Sequence, residues 1–189
     1  PYSGNEKSMR IIADHIRTSV FIACDDAGIV PSNTDRGYIL RRLIRRMIRH
    51  AKKLGIDINS DFDLKIASLI VSKYEDYYDE IKRNKSVCYE VLTNEKIKFN
   101  RTLEKGLREF EKGVSTFSGD IIDRDFAFKL YDTFGFPIEL TVELATERGL
   151  SVDVIGFKEK FRHHQEISKV GSSLKFKGGL ASSGLMETK

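Results

Sequence analysis

The sequence predicts an all-α fold, a bundle of about six to seven helices in two sub-domains, and three observations carry that prediction. Apolar residues recur every three or four positions through most of the chain, as one buried helix face requires. No convincing period-two run appears. Pro is scarce, at three residues, while 40% of the chain is hydrophobic and Phe alone supplies twelve, which excludes disorder for the bulk of it. At 189 residues the chain can bury a core as one large domain or two small ones.

Met9, Ile12, Ile16, Val20 and Ala23 set the period of a first helix over roughly 7–23. Asp25-Asp26-Ala27-Gly28 ends it, and Pro31-Ser32-Asn33-Thr34-Asp35 is a polar turn whose Asn, Thr or Asp can cap the next helix. That second helix is strongly basic, runs to Leu54 and closes at Gly55. Phe62, Ile66, Ile70 and Tyr74 mark a third, separated by the acidic, tyrosine-rich stretch Tyr74 to Glu80 from a long helix over 86–117. In that helix Tyr89, Leu92, Phe99, Leu103, Phe110 and Phe117 follow a near seven-residue rhythm, with Gly106 and Gly113 on the same seam. Ser118-Gly119-Asp120 breaks the pattern and is the candidate boundary between a helical sub-domain 1–117 and a smaller one, 118–170. There Asp123 caps a short helix that stops at Gly135 and Pro137, a further helix covers about 138–148, and a last one about 153–169. Residues 171–189, rich in Gly, Ser and Lys, read as a linker. The pattern leaves room for a minor strand pair near 117–122 or 174–176.

No run approaches the roughly 18 apolar residues of a membrane span, and the N-terminus lacks the apolar core of a signal peptide, so a soluble, cytoplasmic protein is expected, with no membrane partner. The first residue is Pro rather than Met, as in a piece of a longer protein. Cys24 and Cys88 are far apart in the chain and form no C-x-x-C pair, so they read as buried thiols rather than a disulfide framework or zinc site. The four histidines make no H-x-x-x-H or H-E-x-x-H pair, and no phosphate-cradling or nucleophile-elbow motif is present. Asp132 and Glu139 flank an aromatic turn but lack an acid/base partner. No catalytic residue, metal ligand or cofactor is read on this chain, and a free-standing hydrolase has no nucleophile and base to rest on.

Charge is more telling. The net value is +4, yet Arg36, Arg41, Arg42, Arg45, Arg46, Arg49, Lys52 and Lys53 fall in one segment free of Asp and Glu. On a helical wheel all but Arg36 lie within an arc of about 140°, opposite the apolar stripe Leu40, Leu43, Ile44, Met47, Ile48, Ala51 and Leu54. Tyr38 projects among them, where a phenol can stack on a base or bond a phosphate. Like charges so placed repel one another, and a phosphate backbone would answer them. The competing readings are a merely solvated face, or neutralisation by acids elsewhere such as those between Glu75 and Glu80. A helical protein-interaction module with its basic face on an acidic partner, docking through the long helix, is the alternative function.

Three stretches then resemble a known family in order. They are Arg10-Ile-Ile-Ala-Asp-His-Ile-Arg17, Pro31-Ser-Asn-Thr-Asp-Arg-Gly-Tyr-Ile-Leu-Arg-Arg-Leu-Ile-Arg-Arg46 and Leu130-Tyr-Asp-Thr-Phe-Gly-Phe-Pro-Ile-Glu-Leu-Thr141. Together they are similar to the tRNA-recognition region of the alanyl-tRNA synthetases, and Phe176-Lys-Gly-Gly-Leu-Ala181 is similar to the lead into that family's editing domain. The resemblance implies a tRNA-binding module between an aminoacylation core, which uses ATP and Mg²⁺, and a zinc-dependent editing domain, neither of which is on this chain. It implies that the module grips the acceptor stem of alanine tRNA and recognises its G·U wobble pair, with Asn33 and Asp132 matching the two pair-reading residues. A wobble shift frees the guanine exocyclic amine in the shallow groove of A-form RNA, where a carboxylate can accept from it and an amide can meet the other base or its ribose. The plainer roles are an Asn33 helix cap and an Asp132 turn. The family often has Glu-Gly where this chain has Thr34-Asp35.

Overall fold

The computed structural model describes residues 2–116 and 119–178, with side chains described up to residue 167. Among the described residues are α1 (Glu6–Cys24), α2 (Asp35–Lys53), α3 (Phe62–Tyr74), α4 (Asp79–Ser115), α5 (Arg124–Phe134), α6 (Ile138–Glu147) and α7 (Val154–Gly178). Two strands of two residues, β1 (Ile121–Ile122) and β2 (Ser151–Val152), pair in parallel, Ile121 opposite Ser151 and Ile122 opposite Val152. A parallel pair needs a crossover, which α5 and α6 supply. The all-α prediction with a minor strand pair holds, but the second strand lies at 151–152 and not at 174–176, which are part of α7.

Two boundaries differ from the sequence expectation. The long helix starts at Asp79, not near 86, because Asp79 and Glu80 occupy its first turn, where negative charge meets the positive end of the helix dipole. α7 continues to Gly178, through the first residues read as linker. Residues 179–189 lie outside the described residues, as do Phe117 and Ser118, on which the proposed sub-domain boundary falls.

α1 packs on α2, α3 and α4, and α5 packs on α4 and α7. A single apolar cluster runs through these contacts, from Ile16, Leu40 and Ile44 to Phe99, Leu103, Phe110 and Phe136, all fully buried. The two glycines on the α4 seam explain how α5 and the turn after it come so close. A Cβ at Gly106 would collide with Phe136 and Phe134, and one at Gly113 with Phe126. Cys24 and Cys88 are buried free thiols. No helix among the described residues is long and apolar enough to cross a membrane.

Candidate functional site

The loop ahead of α2 is clipped back onto the helix it introduces. Ser32 N–H donates to the Gly37 carbonyl at 3.1 Å, and a side chain at Gly37 would strike Ser32 and the Val30 carbonyl. Thr34 is the N-cap residue and makes no side-chain cap bond, so capping by Asn33, Thr34 or Asp35 is not what starts this helix. The Asn33 amide oxygen instead accepts from Arg41 Nη1, two turns along α2. Asp35 takes a φ of 50°, left-handed backbone where Gly is favoured. The departure from the family's glycine therefore falls at a residue that needs glycine-like backbone.

Asp132 lies inside α5, not in a turn, and its side chain is 51% exposed. Asn33 is exposed as well. Successive residues of α7 contact the two. Gln165 Nε2 donates to the Asn33 carbonyl at 3.4 Å, and His164 Nδ1 lies 3.8 Å from Asp132 Oδ1. The chain neighbour of Asp132 is Tyr131, whose hydroxyl is buried with no hydrogen-bond partner among the described residues. Burial raises its pKa, and the cations Arg41 and Arg45 oppose that rise, so Arg41 lies within electrostatic reach of both sides of the site.

The cationic face of α2 is not the solvent face its sequence suggests. Arg45 and Arg49 are only 4% and 6% exposed. Arg45 Nε donates to Glu95 Oε1 at 2.5 Å, its Nη1 to the Gly135 carbonyl, and its guanidinium lies 5.0 Å from the Phe99 ring centre. Gly135 is where this contact closes. Its φ is 70° and a Cβ there would run into the Arg45 guanidinium. α6 supplies an acidic ridge, Glu139, Glu143 and Glu147, one residue per turn on one side of the helix. Arg42 donates to Glu139 at 2.7 Å, Arg46 to Glu143 at 3.2 Å, and Arg49 to Glu147 at 2.5 Å. Lys53 also reaches Glu147, at 2.5 Å, and Lys52 reaches Glu104 of α4 at 2.8 Å. Tyr38 donates its hydroxyl to Glu139 at 3.1 Å, which removes it as a free phosphate ligand.

Arg45, Arg49 and Tyr38, expected on the phosphate-facing side, are instead engaged by Glu95 and by carboxylates of α6. The neutralising acids are not those between Glu75 and Glu80 either, since Glu75 pairs with Lys85 at 3.0 Å. Arg36 is exposed, and alone of the eight cations it makes no ion pair among the described residues. Arg42, Arg46 and Lys52 keep about a third of their side-chain surface in solvent (35%, 31% and 34%), and Lys53 keeps half. Sequence reasoning missed Glu95, Glu143, Glu147, His164 and Gln165. The first three carried a signal. Glu95 falls on the core seam between Leu92 and Phe99, and the α6 glutamates repeat every fourth residue.

Glu143 is the hub of the ridge. Burial pushes its carboxyl up, but hydrogen bonds from His50 and Arg46 outweigh that and hold it at about 2. A carboxylate only accepts, so His50 Nε2 carries the proton donated to Glu143 at 3.0 Å, and Nδ1 meets the Ser8 hydroxyl at 3.0 Å. Among the described residues no group of three or more His, Cys, Asp or Glu could hold a metal ion. The side chains here do not fit the Mg²⁺ or Zn²⁺ that the resemblance implies for a longer protein.

With this geometry in hand, comparison with known proteins gives one answer. The family model described as tRNA synthetases class II (A) matches residues 1–183. The chain is 48% identical over 177 residues to a protein of Borrelia hermsii named alanine–tRNA ligase, a match covering 94% of this chain and 30% of that protein. A protein of the same name from Treponema denticola is 50% identical over 186 residues, covering 95% of this chain and 31% of the other. One from Ruthia magnifica is 40% identical over 171 residues, covering 90% and 19%. The chain spans less than a third of the length of these relatives.

Proposed function

We propose a function that proceeds from family: the chain belongs to the class II (A) tRNA synthetases, and it serves as the tRNA-gripping module of an alanine–tRNA ligase. The module holds the acceptor stem and selects its G·U wobble pair through Asn33 and Asp132. The longer protein would join alanine to tRNA in the cytoplasm with ATP and Mg²⁺, and its aminoacylation core and zinc-dependent editing domain would flank this module.

One observation carries the reading. Asn33 and Asp132, far apart in sequence, stand exposed and meet neighbouring residues of α7, beside the cation Arg41. Asp132 accepts no hydrogen bond among the described residues and so has its lone pairs free for an exocyclic amine. Phosphates would be met by Arg36, which has no ion pair among the described residues, and by whatever charge the partly exposed Arg42, Arg46, Lys52 and Lys53 retain beyond their carboxylate partners, with Arg41 at the edge of the reading pair. The alternative of an acidic protein partner is less supported, because the carboxylates that such a partner would bring are already supplied by α4 and α6.

The test is a titration of acceptor-stem hairpins carrying G·U or G·C at the pair. Asp132→Ala should erase about 1 to 3 kcal/mol of preference for G·U, while Arg36→Ala should weaken both hairpins alike. Equal losses on both hairpins from Asp132→Ala would remove Asp132 from the reading role.

A further inference from the structure

We propose that Arg41 is a positioning residue that fixes the polarity of the Asn33 amide, so that the site presents one outward donor, Asn33 Nδ2, beside one outward acceptor, the Asp132 carboxylate. This rests on the reading above and deepens it, since an unanchored amide could offer either its oxygen or its nitrogen.

The interior dictates the polarity. A guanidinium has donors only. The amide atom that faces Arg41 Nη1 must therefore be the oxygen, and it is. With Oδ1 occupied, the same amide plane carries Nδ2 on its other side, away from Arg41. Arg41 is in turn aimed by a buried group. Its Nε lies 3.6 Å from Glu95 Oε1, and the Glu95 side chain is 5% exposed. Glu95 is fixed by Arg45, which is fixed by the Gly135 carbonyl at the end of α5. The same α5 carries Asp132. A continuous polar chain thus links the two reading residues, from the Asp132 helix through Gly135, Arg45, Glu95 and Arg41 to Asn33. Arg41 at 23% side-chain exposure is solvated enough to leave Asn33 accessible and buried enough to keep one geometry. A ligand matching this site must offer a hydrogen-bond acceptor to Asn33 and an N–H donor to Asp132, side by side. An amide with reversed polarity would present two acceptors and repel the first of these.

Two measurements test it. In ¹H–¹⁵N spectra of the chain, the Asn33 side-chain amide is identified by its loss in Asn33→Ser. It should move to the position of free amides in Arg41→Ala and stay displaced in Arg41→Lys, which keeps a donor. An unmoved Asn33 signal in Arg41→Ala overturns the proposal. In hairpin binding, Arg41→Ala should lower the G·U over G·C preference about fivefold, the worth of one hydrogen bond, and Arg41→Lys should restore most of it. Asn33→Asp keeps the Arg41 contact but replaces the outward donor with an acceptor, and should lower the preference at least as far. Retained preference in Asn33→Asp also overturns the proposal. If the unsubstituted chain shows no preference at all, the wobble reading fails, and the amide spectra still decide whether Arg41 holds Asn33.

Discussion

A guanidinium that loses most of its water needs its charge and its donors answered inside the protein. Arg45 meets that need with the Glu95 carboxylate, the Gly135 carbonyl and the Phe99 ring. Burial lowers its pKa, and Glu95 opposes that shift. Removing one member of such a pair strands the other, so Arg45→Ala should cost about 3 to 5 kcal/mol of stability. Arg36→Ala, on an exposed residue without an ion pair among the described residues, should stay within about 0.5 kcal/mol. Urea midpoints of the two variants check this, and equal midpoints would show that Arg45 is not held as described. Replacing both partners by apolar residues, Arg45→Met with Glu95→Leu, should recover much of the loss. Half of this was legible in sequence. Glu95 interrupts the apolar seam of α4 between Leu92 and Phe99, and a carboxylate there calls for a buried cation. Arg45 carried no such mark, because its position on the wheel lies within the charged arc, and only the arrival of α4 and of the Gly135 turn puts it indoors. Asn33 and Asp132 were legible as candidate site residues only through the resemblance. Composition and period favoured a cap and a turn, and tertiary contacts decided against both.

α2 and α6 meet as elements with matched spacing, cations along one and glutamates at every fourth residue of the other. Their contact is where acid should first be felt. Glu143 has a folded pKa of about 2 against an ordinary 4.5, and its side chain is 9% exposed. A depressed carboxyl contributes stability that is complete above the unfolded value and lost as pH falls toward the folded one. The contribution is on the order of 3 kcal/mol at neutral pH, withdrawn between about pH 5 and pH 2. Glu147 is shifted the same way by Lys53 and Arg49 against its burial, which adds to the same window. Glu143→Gln should therefore lower stability at pH 7 and flatten its dependence on pH below 5, as measured by denaturation at a series of pH values. An unchanged slope in the variant would assign the acid sensitivity to other groups. The helices themselves were readable from their apolar period, including the basic one and its stop at Gly55. The start of α4 was not, since a run of acids and tyrosines looks like a loop until its charges are placed at a helix N-terminus. Strands of two residues have no period to read.

Across the whole molecule, the concentrated positive charge of α2 is mostly spent on the fold. Eight cations of the segment stand against five carboxylates, Glu95, Glu104, Glu139, Glu143 and Glu147, which leaves an excess of three. The remainder of the chain is net negative, so attraction for a polyanion must be local and modest. This sets the electrolyte dependence expected of the proposed RNA binding. With roughly 0.9 counterions released per phosphate neutralised on a duplex, an excess of three charges gives a log–log slope of affinity against salt of about −2.7, whereas seven or eight open cations would give about −6 to −7. The measurement is the dissociation constant of an acceptor-stem hairpin between about 50 and 200 mM monovalent salt, a range that spans enough counterion release to separate the two. A slope near −2.7 is the expected outcome, with Arg36→Ala lowering its magnitude by about 0.9. A slope near −6 would mean that the α2–α6 lattice opens so that phosphates displace its carboxylates, and Glu139, Glu143 and Glu147 would then be a latch rather than a brace. Acid-insensitive binding by Glu143→Gln at the steeper slope would identify that latch, because a carboxylate already removed cannot compete.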